Sequence, residues 1–302
     1  MPKKLKSKKT YECECDAEGV ITSQTLVNQT TYDKLGNSIR EEVYENEEIA
    51  ILVENTYEGA LLQKTQQTDY VNQFQQNWEF LYDDKGRKIE QRELYEAGGY
   101  AAIRFEYNEE GKILTELFVD DEEEVSGKVQ YNYDDKGNLL AKIEYDGNDF
   151  TTPWISTNYK YDDKNNVIQK NDNFSEEPPT TTLFEYNDKD ELDYAKVFYT
   201  DNNALIIEQT TLEDDDGNII GMEILDHKRN TKKENIVKKN DKDQMIEEEV
   251  FINDTLNSTT KINYNEKGDI IEEKNLSSVQ NGYMQWSAKS FEIEYWNNEE
   301  EE

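Results

Sequence analysis

The sequence predicts an all-β protein: an antiparallel meander of about eleven tandem β-hairpin repeats, with a period of about 26 residues, forming a twisted or spiralling elongated sheet. Three observations carry this expectation. One turn motif recurs along the whole chain, aromatic residues alternate with polar ones on the way into each turn, and helical periodicity is nowhere convincing.

The turn is plainest at Tyr131-Asn132-Tyr133-Asp134-Asp135-Lys136-Gly137-Asn138-Leu139-Leu140. Asp134 suits the first position of a type I turn, and Gly137 suits the left-handed position that ends it. Copies run from Tyr32-Asp33 through Tyr82-Asp83, Tyr107-Asn108, Tyr161-Asp162, Tyr186-Asn187, Asp214, Asn240 and Tyr264-Asn265, with degenerate forms at Cys15-Asp16 and Tyr57-Glu58-Gly59. The last turn position falls at Gly86, Gly111, Gly137, Asn165, Asp190, Gly217, Asp243 and Gly268, spaced 25 to 28 residues apart. Where glycine is missing, Asn or Asp replaces it. Those are the side chains that best tolerate a left-handed backbone, so the substitutions themselves support the turn.

Strands entering the turns place large residues at alternate positions: Trp78-Phe80-Tyr82, Ile103-Phe105-Tyr107, Val129-Tyr131-Tyr133, Thr157-Tyr159-Tyr161 and Thr182-Phe184-Tyr186. Such alternation marks strands with one wet face. Strands leaving the turns carry an apolar residue three places on, as at Ile39, Ile89, Leu114, Leu140, Ile168, Ile246 and Ile271. A four-residue loop would set these beside the aromatics, and a three-residue loop with a glycine bulge would set them opposite. The four-residue loop is favoured because it gathers the apolar positions on one side. The preceding position is often apolar too, so both faces are partly covered. Connections between hairpins vary, so one rim is expected to be uniform and the other irregular. Gln63 to Gln76 is the one stretch where a helix is considered.

Composition bounds the function. The 302 residues carry 68 acidic against 33 basic side chains, a formal net charge of −35, which disfavours direct contact with nucleic acid. With 20 tyrosines, 10 phenylalanines and 4 tryptophans in strand-like alternation, disorder is not the reading. Residues 1–10, with Lys3, Lys4, Lys6, Lys8 and Lys9, read as a basic flexible arm, 11–298 as one hairpin-repeat domain, and 299–302 as an acidic tail. Nothing is long and apolar enough to be a membrane span. Cys13 and Cys15, two apart on one strand, suit neither a disulfide nor a metal site. The sequence as written suits the cytoplasm, or export if a leader has been removed.

Catalytic chemistry finds no support. His227, the one histidine, lies in a polar loop without an identifiable nucleophile, and no phosphate-cradling glycine loop or nucleophile elbow occurs. No cofactor and no metal is called for. Binding residues are expected on the irregular rim: Tyr100, Phe150, Trp154 and Phe174 as aromatic anchors, and Asp121, Glu122, Glu123 and Glu124 as an acidic patch.

The Tyr-Asp-x-x-Gly-Asn unit, as at Tyr133-Asp134 with Gly137-Asn138 and Tyr32-Asp33 with Gly36-Asn37, resembles the YD repeat of Rhs-like bacterial proteins. The resemblance covers about Tyr11 to Tyr295 and implies antiparallel hairpins in a long spiralling sheet. Tyr57-Glu58-Gly59 also resembles the opening of a MORN repeat, whose further glycines are absent. Together these readings suggest a non-enzymatic module that holds a basic protein, most sharply an immunity or antitoxin protein against a toxin domain. An exported surface or adhesive protein contacting glycans through exposed aromatics is the alternative.

Overall fold

The computed structural model describes residues 4–147, 150–278 and 283–296. The acidic tail lies outside them. Twenty-two strands follow one another. The first seven are β1 (Leu5–Cys15), β2 (Ile21–Tyr32), β3 (Ser38–Glu45), β4 (Glu48–Glu58), β5 (Leu61–Asp69), β6 (Phe74–Tyr82) and β7 (Lys88–Leu94). Next come β8 (Tyr100–Tyr107), β9 (Ile113–Asp120), β10 (Val125–Tyr133), β11 (Leu139–Asp146), β12 (Ile155–Tyr161), β13 (Val167–Phe174), β14 (Thr180–Tyr186) and β15 (Leu192–Tyr199). The last are β16 (Leu205–Glu213), β17 (Ile219–Asp226), β18 (Thr231–Lys239), β19 (Met245–Ile252), β20 (Thr255–Tyr264), β21 (Ile270–Ser278) and β22 (Met284–Tyr295).

The fold class departs from the open meander. All twenty-two strands belong to one antiparallel sheet, and β1 pairs with both β2 and β22. Lys8, for example, lies opposite Thr30 on one side and Ile293 on the other. The sheet is therefore a closed antiparallel barrel with no free first or last strand, which removes the edge problem of an open sheet. Residues 5–10, expected as part of a flexible arm, form the first half of the strand that makes this closure. Gln63 to Gln76, the stretch considered for a helix, falls in β5, the following turn and β6.

The chain groups into two compact units. One comprises 1–100, 238–249 and 257–302, and the other 101–237 and 250–256. In the first, β1 to β7 pair in sequence, as do β20 to β22. In the second, β8 to β18 do the same.

The turns correct the favoured loop length. The Gly137 amide donates to the Asp134 carbonyl at 2.9 Å and the Asp134 amide to the Asn138 carbonyl at 2.9 Å. This is a three-residue loop closed by a left-handed bulge residue. Gly137 has φ +83°, and Asn165, Asp190 and Asp243 hold the same place at φ 71°, 63° and 61°. A second irregularity follows at once. Tyr133 lies opposite Leu139 and Asn132 opposite Ala141, which leaves Leu140 as the extra residue. The same step isolates Ile39, Ile89, Leu114, Ile168 and Ile271. The apolar residue three places after the turn is thus a bulge residue, and it belongs to neither regular face.

The core is thin. Val129, Ile262, Ala102, Val119, Ala141 and Leu52 are buried, but among the described residues no large side chain is fully enclosed. Cross-strand pairs and hydrogen bonds must therefore carry much of the specificity.

Closure makes a direct prediction. Neighbouring residues in a central strand turn their amides to opposite neighbours. An open sheet with β1 at its edge would tolerate proline at one of Lys9 and Thr10, with the amide facing solvent. In the closed sheet both Lys9→Pro and Thr10→Pro should lose about 1–3 kcal/mol through an unsatisfied ladder group. Denaturant melts of the two variants check this, and one tolerated proline would contradict closure.

Candidate binding surface

The regular rim is built by the turn aspartates. Asp134 Oδ1 accepts from the Lys136 amide at 2.9 Å and the Asn138 amide at 2.7 Å, and Oδ2 accepts from Asn138 Nδ2 at 3.0 Å. Asp33, Asp162 and Asp214 repeat the set, and Asn108, Asn187, Asn240 and Asn265 use an amide oxygen in the same place. Backbone amides from the residue four places on, opposed by partial burial and helped by further donors, hold Asp83, Asp134, Asp162 and Asp214 below the usual carboxylate range. Polar contacts also join adjacent turns. Asn138 Nδ2 donates to Asn165 Oδ1 at 3.0 Å, Asn37 Nδ2 to the Gly59 carbonyl at 2.9 Å, and Lys189 Nζ to the Gly217 carbonyl at 2.7 Å.

Below the turns, tyrosine hydroxyls link neighbouring strands. Tyr82, Tyr133, Tyr161, Tyr186 and Tyr264 donate to the carbonyls of Leu62, Ile113, Leu139, Val167 and Met245 at 2.7 to 2.9 Å. In the hairpin β16–β17, where the tyrosine position is Glu213, Thr211 Oγ1 donates instead to the Leu192 carbonyl at 2.6 Å. Burial pushes the Tyr82, Tyr133, Tyr161 and Tyr186 hydroxyls above their ordinary pKa, so they remain donors.

On the other rim, the acidic patch is no irregular loop. The Asp120 amide donates to the Glu124 carbonyl, the Glu123 amide donates to the Asp120 carbonyl, and Asp120 Oδ1 accepts from the Glu122 and Glu124 amides. That is the regular turn again, with Glu123 in the left-handed position at φ 65°. Glu123 is held by both terminal nitrogens of Arg104. Asp121, Glu122 and Glu124 are exposed. Elsewhere on this rim the links Asn46-Glu47 and Asn253-Asp254 are two-residue turns with both residues at positive φ.

The aromatic anchors are partly brought together. Phe150 meets Tyr145 edge-on at 5.8 Å, and Lys128 lies 5.5 Å over its ring. Trp154 is 49% exposed, and its carbonyl accepts from the Ser175 amide, next to Phe174. Phe174 pairs with Ile155. Tyr100 belongs to the other compact unit, where Arg92 lies 4.7 Å over its ring.

Two networks escape a reading by sequence. Glu208 accepts from Tyr194, pairs with His227 Nε2 at 2.8 Å, and is held below the usual carboxylate range by these two, the tyrosine first. The same bond, then burial, pushes Tyr194 up to about 12. Lys232 lies within 3.1 Å of Glu223, Glu234 and Asp254. Glu208 and Tyr194 share a sheet face across β15 and β16, and His227 opens the turn after β17. No spacing rule flags such cross-strand triads. Among the described residues, no group of three or more His, Cys, Asp or Glu side chains could hold a metal ion. No helix among them is long and apolar enough to cross a membrane, a test that does not bear on strands.

A family model described as an uncharacterised protein matches residues 3–128, less than half of the chain. No curated protein matches. Solved structures that match include the complex of TcdB2 and TccC3, at 10% identity and TM-score 0.39, over 92% of this chain and 17% of that one. A Photorhabdus luminescens Tc holotoxin pore matches at 11% identity and TM-score 0.35, over 93% of this chain and 18% of that one. This chain thus spans less than a fifth of either. A porin-like protein from Bacteroides uniformis matches at 11% identity and TM-score 0.37, over 97% of this chain and 99% of that one. Similarity at this level carries no inference about activity or partners.

The turn carboxylates predict acid lability. Their folded pKa values are depressed, so their stabilisation is fully present above the ordinary aspartate value of about 3.9 and is lost as pH falls through the lower folded values. Asp134→Asn with Asp162→Asn should keep the turns, as Asn108 and Asn187 do, and should lose less stability between about pH 5 and pH 2 than the parent. Identical losses in denaturant midpoints across that range would contradict the role given to these carboxylates.

Proposed function

We propose that the protein is a non-enzymatic binding module whose acidic surface holds a basic partner protein. The supporting observation is where the charge goes. Every arginine in the chain is in an ion pair with a carboxylate of the same chain: Arg40 with Glu42 and Glu54, Arg87 with Asp83, Arg92 with Glu90, Arg104 with Glu123, and Arg229 with Asp226. Acidic side chains outnumber basic ones by 68 to 33, so one-for-one pairing leaves a large surplus. In the unit holding β9 to β17, exposed carboxylates stand at the turn tips, at Glu109, Asp135, Asp163, Asp188 and Asp215, and on the other rim at Asp121, Glu122 and Glu124. Such a surface raises the rate at which a cationic protein arrives, and exposed aromatics such as Trp154 supply contacts that slow its departure. The resemblance of the turns to YD repeats is compatible with this role, and a toxin domain is the sharpest version of the partner.

Surface-plasmon kinetics with a basic protein recovered by pull-down from the native host test the proposal. The association rate should fall steeply with ionic strength. Neutralising Asp121, Glu122 and Glu124 should lower it, leaving Glu123 in its turn-closing pair with Arg104. Trp154→Ala should mainly raise the dissociation rate. An association rate indifferent to salt would contradict the proposal.

A further inference from the structure

We infer that the turn rim of β8 to β13 docks an amphipathic, basic α-helix of the partner, laid across successive hairpins. The inference rests on the proposal that the partner is cationic, and it adds a place and a shape. Three features meet there.

The first is an apolar row. The bulge residues Leu114, Leu140 and Ile168 come from three consecutive hairpins and are 37%, 40% and 38% exposed. Each sits where the ladder is interrupted, below its own turn.

The second is charge. The residue after each turn-opening Asp or Asn is a carboxylate, at Glu109, Asp135 and Asp163, and all three are exposed. Two of the basic side chains close by are drawn sideways along the rim, while Lys136 stands exposed at the middle turn. Lys112 Nζ donates to the Gly137 carbonyl, and Lys164 Nζ reaches the Asp190 carboxylate at 2.5 Å. Apolar and acidic groups share one opening. A groove of about 540 Å³ between the first two of these turns is lined by Leu114 and Tyr133 together with Glu110, Asp134 and Asp135, and by Lys112 and Lys136, so carboxylates outnumber ammonium groups there by three to two.

The third is spacing. Successive hairpins are two strands apart, about 9.6 Å at ordinary sheet spacing. Seven residues of α-helix rise about 10.5 Å. A helix with an apolar residue at every seventh position therefore meets one bulge residue per hairpin, while lysine or arginine beside that stripe faces the turn carboxylates. A second copy of this chain is a poor occupant, because both surfaces are strongly acidic.

Two synthetic helical peptides of about 21 residues test this by fluorescence anisotropy at low salt. One carries leucine at every seventh position with lysine on either side, and the other is a scramble of the same composition. The parent protein should bind the amphipathic peptide at least tenfold more tightly. Leu114→Ser with Leu140→Ser and Ile168→Ser, in a protein whose far-ultraviolet circular dichroism matches the parent, should abolish that preference. If the triple variant does not fold, a photo-crosslinker on the peptide bound to the parent decides the question. Crosslinks within residues 108–115, 133–141 and 161–169 support the site, and crosslinks at 120–125 or 150–154 overturn it. Equal, salt-sensitive binding of both peptides would overturn the docked helix and leave the acidic-surface proposal standing. No binding of either peptide at low salt would remove both.

Discussion

The hydrogen bond from a turn tyrosine to the carbonyl of the neighbouring strand is the contact on which the regularity of this sheet depends. The hairpins closed by the turns at Asp33, Asp83, Asn108, Asp134, Asp162 and Asn265 contain a second bulge, and beside it the ladder to the neighbouring hairpin stops short of the turns. Between β9 and β10 the last pair is Gln130 with Thr115, and between β11 and β12 it is Asn158 with Ala141. In both places the tyrosine three residues beyond that pair bonds the carbonyl two residues before it. Tyr186 with Val167 and Tyr82 with Leu62 keep the same offset. The hydroxyl therefore spans the gap that each bulge opens. A tyrosine at the end of one strand sets where the next hairpin begins.

This arrangement explains how so charged a chain holds a fold with little core. Self-repulsion among surplus carboxylates works against a compact state. Several of those carboxylates nevertheless have structural work, as acceptors for turn amides at Asp83, Asp134, Asp162 and Asp214 and as partners of sheet arginines. Negative charge is thus used locally to fix the turns, and the remainder is displayed at their tips. The rim is thus a periodic row of nearly identical turns.

The turns were legible in the sequence because a left-handed backbone restricts its occupants, and Asn165, Asp190 and Asp243 obey that restriction. Loop length was not legible. Leu139 and Leu140 are both apolar, and a period-two pattern cannot reveal that one of them is a bulge residue with no partner. Closure was hidden for a different reason: Lys8 opposite Ile293 is a pairing of the two chain ends, and no local propensity encodes it. The acidic turn at Asp120 escaped because Glu123 takes a conformation that glutamate seldom adopts, held there beside Arg104. Of the expected anchors, Phe150, Trp154 and Phe174 could be placed on one rim by topology alone. Their contacts with Tyr145 and Ile155 depend on register, which sequence leaves open.

Hydrogen exchange on Tyr161→Phe is the most direct measurement of the tyrosine bond. The substitution removes only the hydroxyl. If that hydroxyl holds the unpaired ends of β11 and β12 together, stability should fall by about 1 kcal/mol. The amides of Leu139 to Ala141 and of Asn158 to Tyr161 should then exchange faster, while those near Ile155 and Glu144 keep their protection. Unchanged stability together with unchanged exchange at those amides would show that the bulged sheet needs no such link.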